Sequence, residues 1–154
     1  MPRRSKSSKE KAIEKIYNRI LKEVVEPAIG NKTTYTDELN KAGRNLLGNI
    51  FTGAFPLDEL DRTRDHLCIL NVDKSNEPGS HWLGCVVKKG KTYIYDSFGR
   101  TSMALIPDIL KGGKKVIDTD HDAEQIPREN NCGARSLAWL VCVKYLGVDS
   151  ALLI

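Results

Sequence analysis

An α+β domain is the fold class this sequence predicts, and three observations predict it. Near the N-terminus, apolar residues recur at three- and four-residue steps, the period of an amphipathic helix. The middle of the chain holds short apolar runs with a glycine hairpin signal. The final long segment, Cys132 to Leu146, is apolar nearly all the way round, as in a helix buried at the centre of its domain.

The elements follow in order. Residues 1–7 form a basic tip with no apolar content to order it, expected to be flexible. Ser8 can cap a helix running to about Val25, with Ala12, Ile13, Ile16, Tyr17, Ile20, Leu21, Val24 and Val25 as one stripe; Pro27 and Gly30 are expected to stop it. A second helix starts at Thr36 or Asp37, turns Leu39, Ala42, Leu46 and Leu47 inward, and ends by Gly48. IFTGAFPLDEL then reads as an irregular loop, since Gly53 and Pro56 break any period. LCILNV (67–72) is a continuous apolar run, as in a buried strand. HWLGCVV (81–87) and TYIYD (92–96) flank KKGK and form a hairpin, and KKVID (114–118) is a weaker fourth strand. Gly147 ends the last helix.

With 154 residues, 40% of them hydrophobic, the chain makes one domain and buries roughly 70% of its unfolded surface without metals or disulfides. No apolar run approaches the ~20 residues of a membrane span, and MPRRSKSSKEK lacks the apolar stretch of a secretory signal. The expectation is a protein that is neither membrane-bound nor secreted. Charge is uneven. Residues 1–22 carry eight Lys/Arg against Glu10 and Glu14, while the whole chain is only +4, so the remainder is mildly acidic. A basic arm of this kind can hold phosphates by counterion release, or can simply be a solvated terminus.

The four cysteines show no C-x-x-C pair and no histidine at zinc-ligand spacing, so no metal site is expected. Cys68, Cys85 and Cys142 lie in apolar runs and read as small buried hydrophobes. Cys132 differs, because it stands in NNCGARS where a polar loop becomes the buried helix. Unpaired N–H groups and the positive end of the helix dipole favour a thiolate there, and its own N–H can face a developing oxyanion. The alternative is a capping-region cysteine of no special reactivity. His81 begins a strand and can act as a base to a thiol, or be a partly exposed surface histidine. Asp96 ends the partner strand, so antiparallel pairing across KKGK puts it at the same open end as His81, where a carboxylate can orient the imidazole. It can equally be an ordinary strand-end aspartate. Gln125, seven residues before Cys132, carries an amide able to donate to an oxyanion, or is plain loop. His66 and His121 sit in charged runs and are poorer candidates.

Taken together, SHWLGCVV, YIYDSFG, the spaced Gln125 and NNCG resemble the adenovirus-type maturation cysteine proteases and their relatives that process ubiquitin-like modifiers. TYTDELNKAGRNLLGNIFTGAFPLDEL resembles the leader segment of the versions encoded by virophages, large DNA viruses and Polinton-like elements, so the likeness spans about residues 33–146. The resemblance implies a papain-like variant with its site residues in the order His, Asp, Cys, and a central mixed sheet packed around a helix that starts at the nucleophile. It implies Cys132 as nucleophile, His81 as base, Asp96 as orienter and Gln125 as oxyanion donor. Trp82 matches the family's His-Trp pair, with packing as its default role. The implied substrate is a viral or virophage capsid or other virion precursor, cut during particle maturation by a monomeric enzyme in the virion or the infected cell. No cofactor is required by the sequence. The adenovirus enzyme uses DNA, which makes Arg3, Arg4, Lys11, Lys15, Arg19 and Lys22 candidate DNA contacts. One departure is clear: no cysteine lies between Cys85 and Cys132, so a disulfide to an activating peptide has no anchor there. The rival readings are a protease for ubiquitin-like modifiers and a non-catalytic DNA- or capsid-binding module.

Overall fold

The computed structural model describes residues 6–32, 34–72, 81–100, 115–119, 123 and 130–154. Helix α1 spans Ser8–Ile20 and its cap is Ser7, one residue earlier than expected, whose Oγ accepts the Glu10 N–H at 3.1 Å. Pro27 does not stop this helix. A π-helical turn over Leu21–Val25 passes without a break into a last α-helical turn, α2 (Glu26–Ile29), so Pro27 lies inside a continuous helical run, directly after the widened turn. Gly30, at φ 77°, is the actual stop. The inner stripe of the assembly is Ile13, Tyr17, Leu21, Val25 and Ile29.

Helix α3 runs Thr36–Leu47, with Tyr35 N–H held by Glu38 Oε1, and buries Leu39, Ala42, Gly43 and Leu47. The expected irregular loop after it contains a strand. Residues Gly53–Pro56 form β1, parallel to the next strand, between 3-10 turns at Gly48–Ile50 and Leu57–Glu59. It lies at the sheet edge, where a proline at the strand end removes no ladder bond, so neither Gly53 nor Pro56 forbids it.

The other strands stand close to their expected places: β2 His66–Asn71, β3 Trp82–Lys88, β4 Lys91–Tyr95 and β5 Val116–Asp118. The five-stranded sheet is mixed and ordered as in the chain: β1 and β2 are parallel, β2 and β3 antiparallel, β3 and β4 antiparallel, β4 and β5 parallel. Helix α4 (Cys132–Leu146) crosses one face and is buried without a break from Gly133 to Cys142. A short α5 (Val148–Ala151), unforeseen in the sequence, docks on it through Trp139 Nε1 donating to Ala151 O at 2.9 Å. Helices and sheet share one core around Tyr17, Leu39, Ile69, Tyr95, Leu137, Trp139 and Leu140; Tyr95 and Trp139 stack at 5.4 Å. The opposite face carries a smaller cluster that includes Cys68, Leu70, Leu83, Cys85 and Ile94. The α+β class and the mixed sheet are thus established, with α4 starting at the polar rim of the sheet and running into the core.

Candidate active site

Cys132, His81 and Asp96 meet at that rim. Cys132 is the first residue of α4, His81 immediately precedes β3, and Asp96 immediately follows β4. Pairing of Gly84 with Tyr95 sets a register that brings the last two to the same end of the hairpin. His81 Nε2 lies 2.6 Å from Asp96 Oδ1, with His81 8% and Asp96 2% exposed. One ring nitrogen is thereby used, leaving Nδ1 for the Cys132 thiol, with which the ring also interacts. The Trp82 N–H donates to Cys132 Sγ at 3.4 Å, and Ser136 Oγ donates to Trp82 O at 3.3 Å, so β3 and α4 are stitched together around the sulfur.

The electrostatics match this geometry. Burial pushes the Cys132 thiol up, but the bond to His81, the Trp82 N–H and the Gly133 N–H outweigh it and hold the thiol below its usual range. Burial likewise opposes charge on His81, yet the Asp96 and Cys132 bonds raise the ring to about 9. Asp96 is pushed up by burial and pulled down to about 2 by His81, Arg100 and the Phe98 N–H. The other thiols behave oppositely: burial lifts Cys142 to about 12 and Cys68 well above its usual value. A thiolate–imidazolium pair is therefore favoured at Cys132, while Cys68 and Cys142 stay protonated.

Several contributors carry no obvious mark in the sequence. Arg100 Nε donates to Asp96 Oδ2 at 2.8 Å and its own N–H adds a second bond at 3.1 Å. Phe98 lies between, its ring 5.3 Å from His81 and under the Arg100 guanidinium at 5.1 Å. An acid followed four residues later by arginine across a Phe-Gly turn was the available signal. Thr34 is another: Trp82 Nε1 donates to its carbonyl at 3.2 Å, and its buried hydroxyl lies against Gly133, where an added Cβ would stand 2.1 Å from it. Trp82 therefore spans from the thiol to the segment before α3.

Gln125 and His121 lie outside the described residues, as do Arg3 and Arg4. Lys11, Lys15, Arg19 and Lys22 are exposed on one face of the N-terminal helices, around a shallow 410 Å³ groove that also includes Glu14 and Glu23. His66 is remote in role, held by Thr52 and the Asp61 carbonyl. Among the described residues no helix is long and apolar enough to cross a membrane, and no group of three or more His, Cys, Asp or Glu could hold a metal ion. No protein-family model matches the sequence, and no curated protein matches it.

Proposed function

We propose that the chain is a cysteine endopeptidase of the adenovirus-type class, with a papain-like arrangement in which a histidine and an aspartate precede the nucleophile. The observation that carries this is the set of half-buried Cys132 with buried His81 and Asp96, assembled from the start of one helix and the two ends of a hairpin, with the His–Asp contact at 2.6 Å. Cys132 Sγ attacks the scissile carbonyl carbon. The oxyanion takes the Cys132 N–H and, as the resemblance implies, the Gln125 amide. Collapse of the intermediate breaks the C–N bond, and His81 protonates the departing amine. His81 then takes a proton from water, which attacks the thioester and frees the thiol. Asp96 keeps the ring oriented and its cation stabilised throughout. The substrate of this reading is a capsid or other virion precursor, with DNA held by the basic arm as a stimulant.

Two measurements test it. A peptide-mimic electrophile should label Cys132 in the full chain; an inert Cys132 would point instead to a binding module. Incubation with virion proteins of the same genome, followed by mass mapping of new termini, should find cleavage in a structural precursor. Cleavage of ubiquitin-like modifiers alone would replace the substrate class while keeping the chemistry.

A further inference from the structure

Trp82 is the first residue of β3, and its backbone reaches past the end of the neighbouring strand. The Val72 N–H donates to His81 O at 3.0 Å, so in the next pair, Asn71 with Trp82, the N–H and C=O groups face away from each other. Both polar groups of Trp82 therefore look toward the β4 side. That strand ends at Tyr95, opposite Gly84, and the chain then turns, with the Gly99 N–H on Asp96 O at 2.8 Å. Helix α4 takes the place of a strand there. Cys132 Sγ accepts the Trp82 N–H at 3.4 Å, and Ser136 Oγ donates to the Trp82 carbonyl at 3.3 Å. Cys132 and Ser136 are four residues apart and so share one face of the helix. Ser136 is fully covered, and with Arg135 it is a polar break in a buried stretch that is otherwise apolar from Gly133 to Cys142.

We propose that Ser136 is a positioning residue for the nucleophile: its hydroxyl anchors the Trp82 carbonyl beyond the end of β4 and so keeps the Trp82 N–H on the Cys132 sulfur. A buried carbonyl stripped of its donor is costly, so without the hydroxyl the first residue of β3 turns to find another partner. The N–H of the same residue turns with it, and a sulfur anion loses a donor. The loss is partial, because Trp82 Nε1 still holds Thr34 O and His81 O still accepts from Val72. The placement of the N–H on the sulfur stands on these contacts, and its use in peptide cleavage rests on the cysteine-protease reading.

The titratable and charged groups of the elements packed around the thiol are His81 before β3, Asp96 and Arg100 after β4, Arg135 on α4, and Tyr17 and Tyr95 behind it. Helix α3 turns only Leu39, Ala42, Gly43 and Leu47 inward. The test leaves all of these in place. Alkylation of the full chain by iodoacetamide is followed against pH in the wild type, Ser136→Ala, Ser136→Cys and Val141→Ala. Cys68, Cys85 and Cys142 are buried, so the fast phase reports Cys132. Ser136→Ala removes only a hydroxyl and suits a helix interior. It should slow alkylation at mildly acidic pH about threefold to tenfold, the effect of weakening one bond to a charged group, while the rates converge at alkaline pH. Ser136→Cys keeps a weak donor and should shift the profile the same way by less. It serves if the alanine variant does not fold, and fragment masses separate its added thiol from Cys132. Val141→Ala opens a cavity in the same helix more than two turns beyond Cys132 and should keep the parent profile. A folded Ser136 variant with the parent profile overturns the proposal. So does one alkylated faster at every pH, the mark of a merely loosened site, or a Val141→Ala protein that shows the same acid-side loss. Because alkylation needs no substrate, a protein that shows the shift but cleaves nothing would overturn the protease reading alone.

Discussion

His81 and Asp96 make opposite demands on pH. His81 is raised from 6.5 to about 9 when folded, so its pairing stabilises the fold fully below about pH 6.5 and is lost as pH rises through about 9. Asp96 is lowered from 3.8 to about 2, so its contribution is present above about pH 4 and is lost as pH falls toward 2. Cleavage should therefore rise through the lowered titration of Cys132 and fall near pH 9 as the imidazolium loses its proton. Asp96→Asn should bring the upper limb down in pH and slow turnover without abolishing it, and a pH–rate profile checks both. Cys132→Ala should remove labelling and cleavage while the melting temperature stays within a few degrees, since alanine suits a first helical turn. Cleavage by folded Cys132→Ala protein would end the catalytic reading. His81→Ala should be nearly as damaging, because members of a catalytic unit do not act additively. At this scale the sequence was informative. Cys132 stood out by its polar setting, and His81 and Asp96 by their places at strand ends. Arg100 and Thr34 did not, because an arginine in a turn and a threonine before a helix have ordinary surface roles until the fold brings them together.

Elements were legible where periodicity was strong and illegible where one local rule was balanced by another. The amphipathic N-terminal stripe, α3 and α4 follow from apolar spacing alone. Strand β1 did not, because four residues with a glycine and a proline pair only along one edge and show no alternation. The π-turn was hidden for a similar reason. Pro27 signals a stop, yet the widened turn before it lets Val25 and Ile29 continue the buried stripe. The junction of α3's leading segment with α4 yields the sharpest test. A Cβ on Gly133 would meet Thr34 Oγ1 at 2.1 Å, Leu39 Cδ2 at 3.2 Å and Trp82 Cδ1 at 3.3 Å. Gly133→Ala should cost about 1–3 kcal/mol by overpacking and displace Trp82, whose N–H serves the thiol. Removing the hydroxyl with Thr34→Ala relieves the closest contact, so the double variant should recover part of the lost stability and labelling rate. Thermal melts and electrophile labelling of the three proteins decide it, and a Gly133→Ala protein as stable as the parent would show that the helix end has room to shift.

For the whole molecule, the N-terminal helices present two faces, and separate substitutions can tell them apart. Their inner face puts Ile13, Tyr17, Leu21, Val25 and Ile29 into the core. At about 1.5–3 kcal/mol for each such side chain, that burial is comparable to the roughly 5–15 kcal/mol by which a domain is stable. Deleting residues 1–29 should therefore leave a chain that does not fold cooperatively, which a thermal melt would show as the loss of a sharp transition. The outer face presents Lys11, Lys15, Arg19 and Lys22 to solvent, with Arg19 and Glu23 paired at 3.5 Å, both side chains about two-thirds exposed. Reversing these four charges should shift stability little, since exposed substitutions and surface pairs are each worth a fraction of a kcal/mol. If the face holds DNA, cleavage of one substrate should be modestly stimulated by DNA at low salt. That stimulation should fade as salt rises, with a slope set by the phosphates neutralised, and should vanish in the charge-reversed chain. Glu14 and Glu23 line the same groove and weaken its field, which is why modest stimulation is expected and tight binding is not. A rate indifferent to DNA, salt and charge reversal alike would mean that the outer face is solvated surface, and that these helices serve the domain through the core alone.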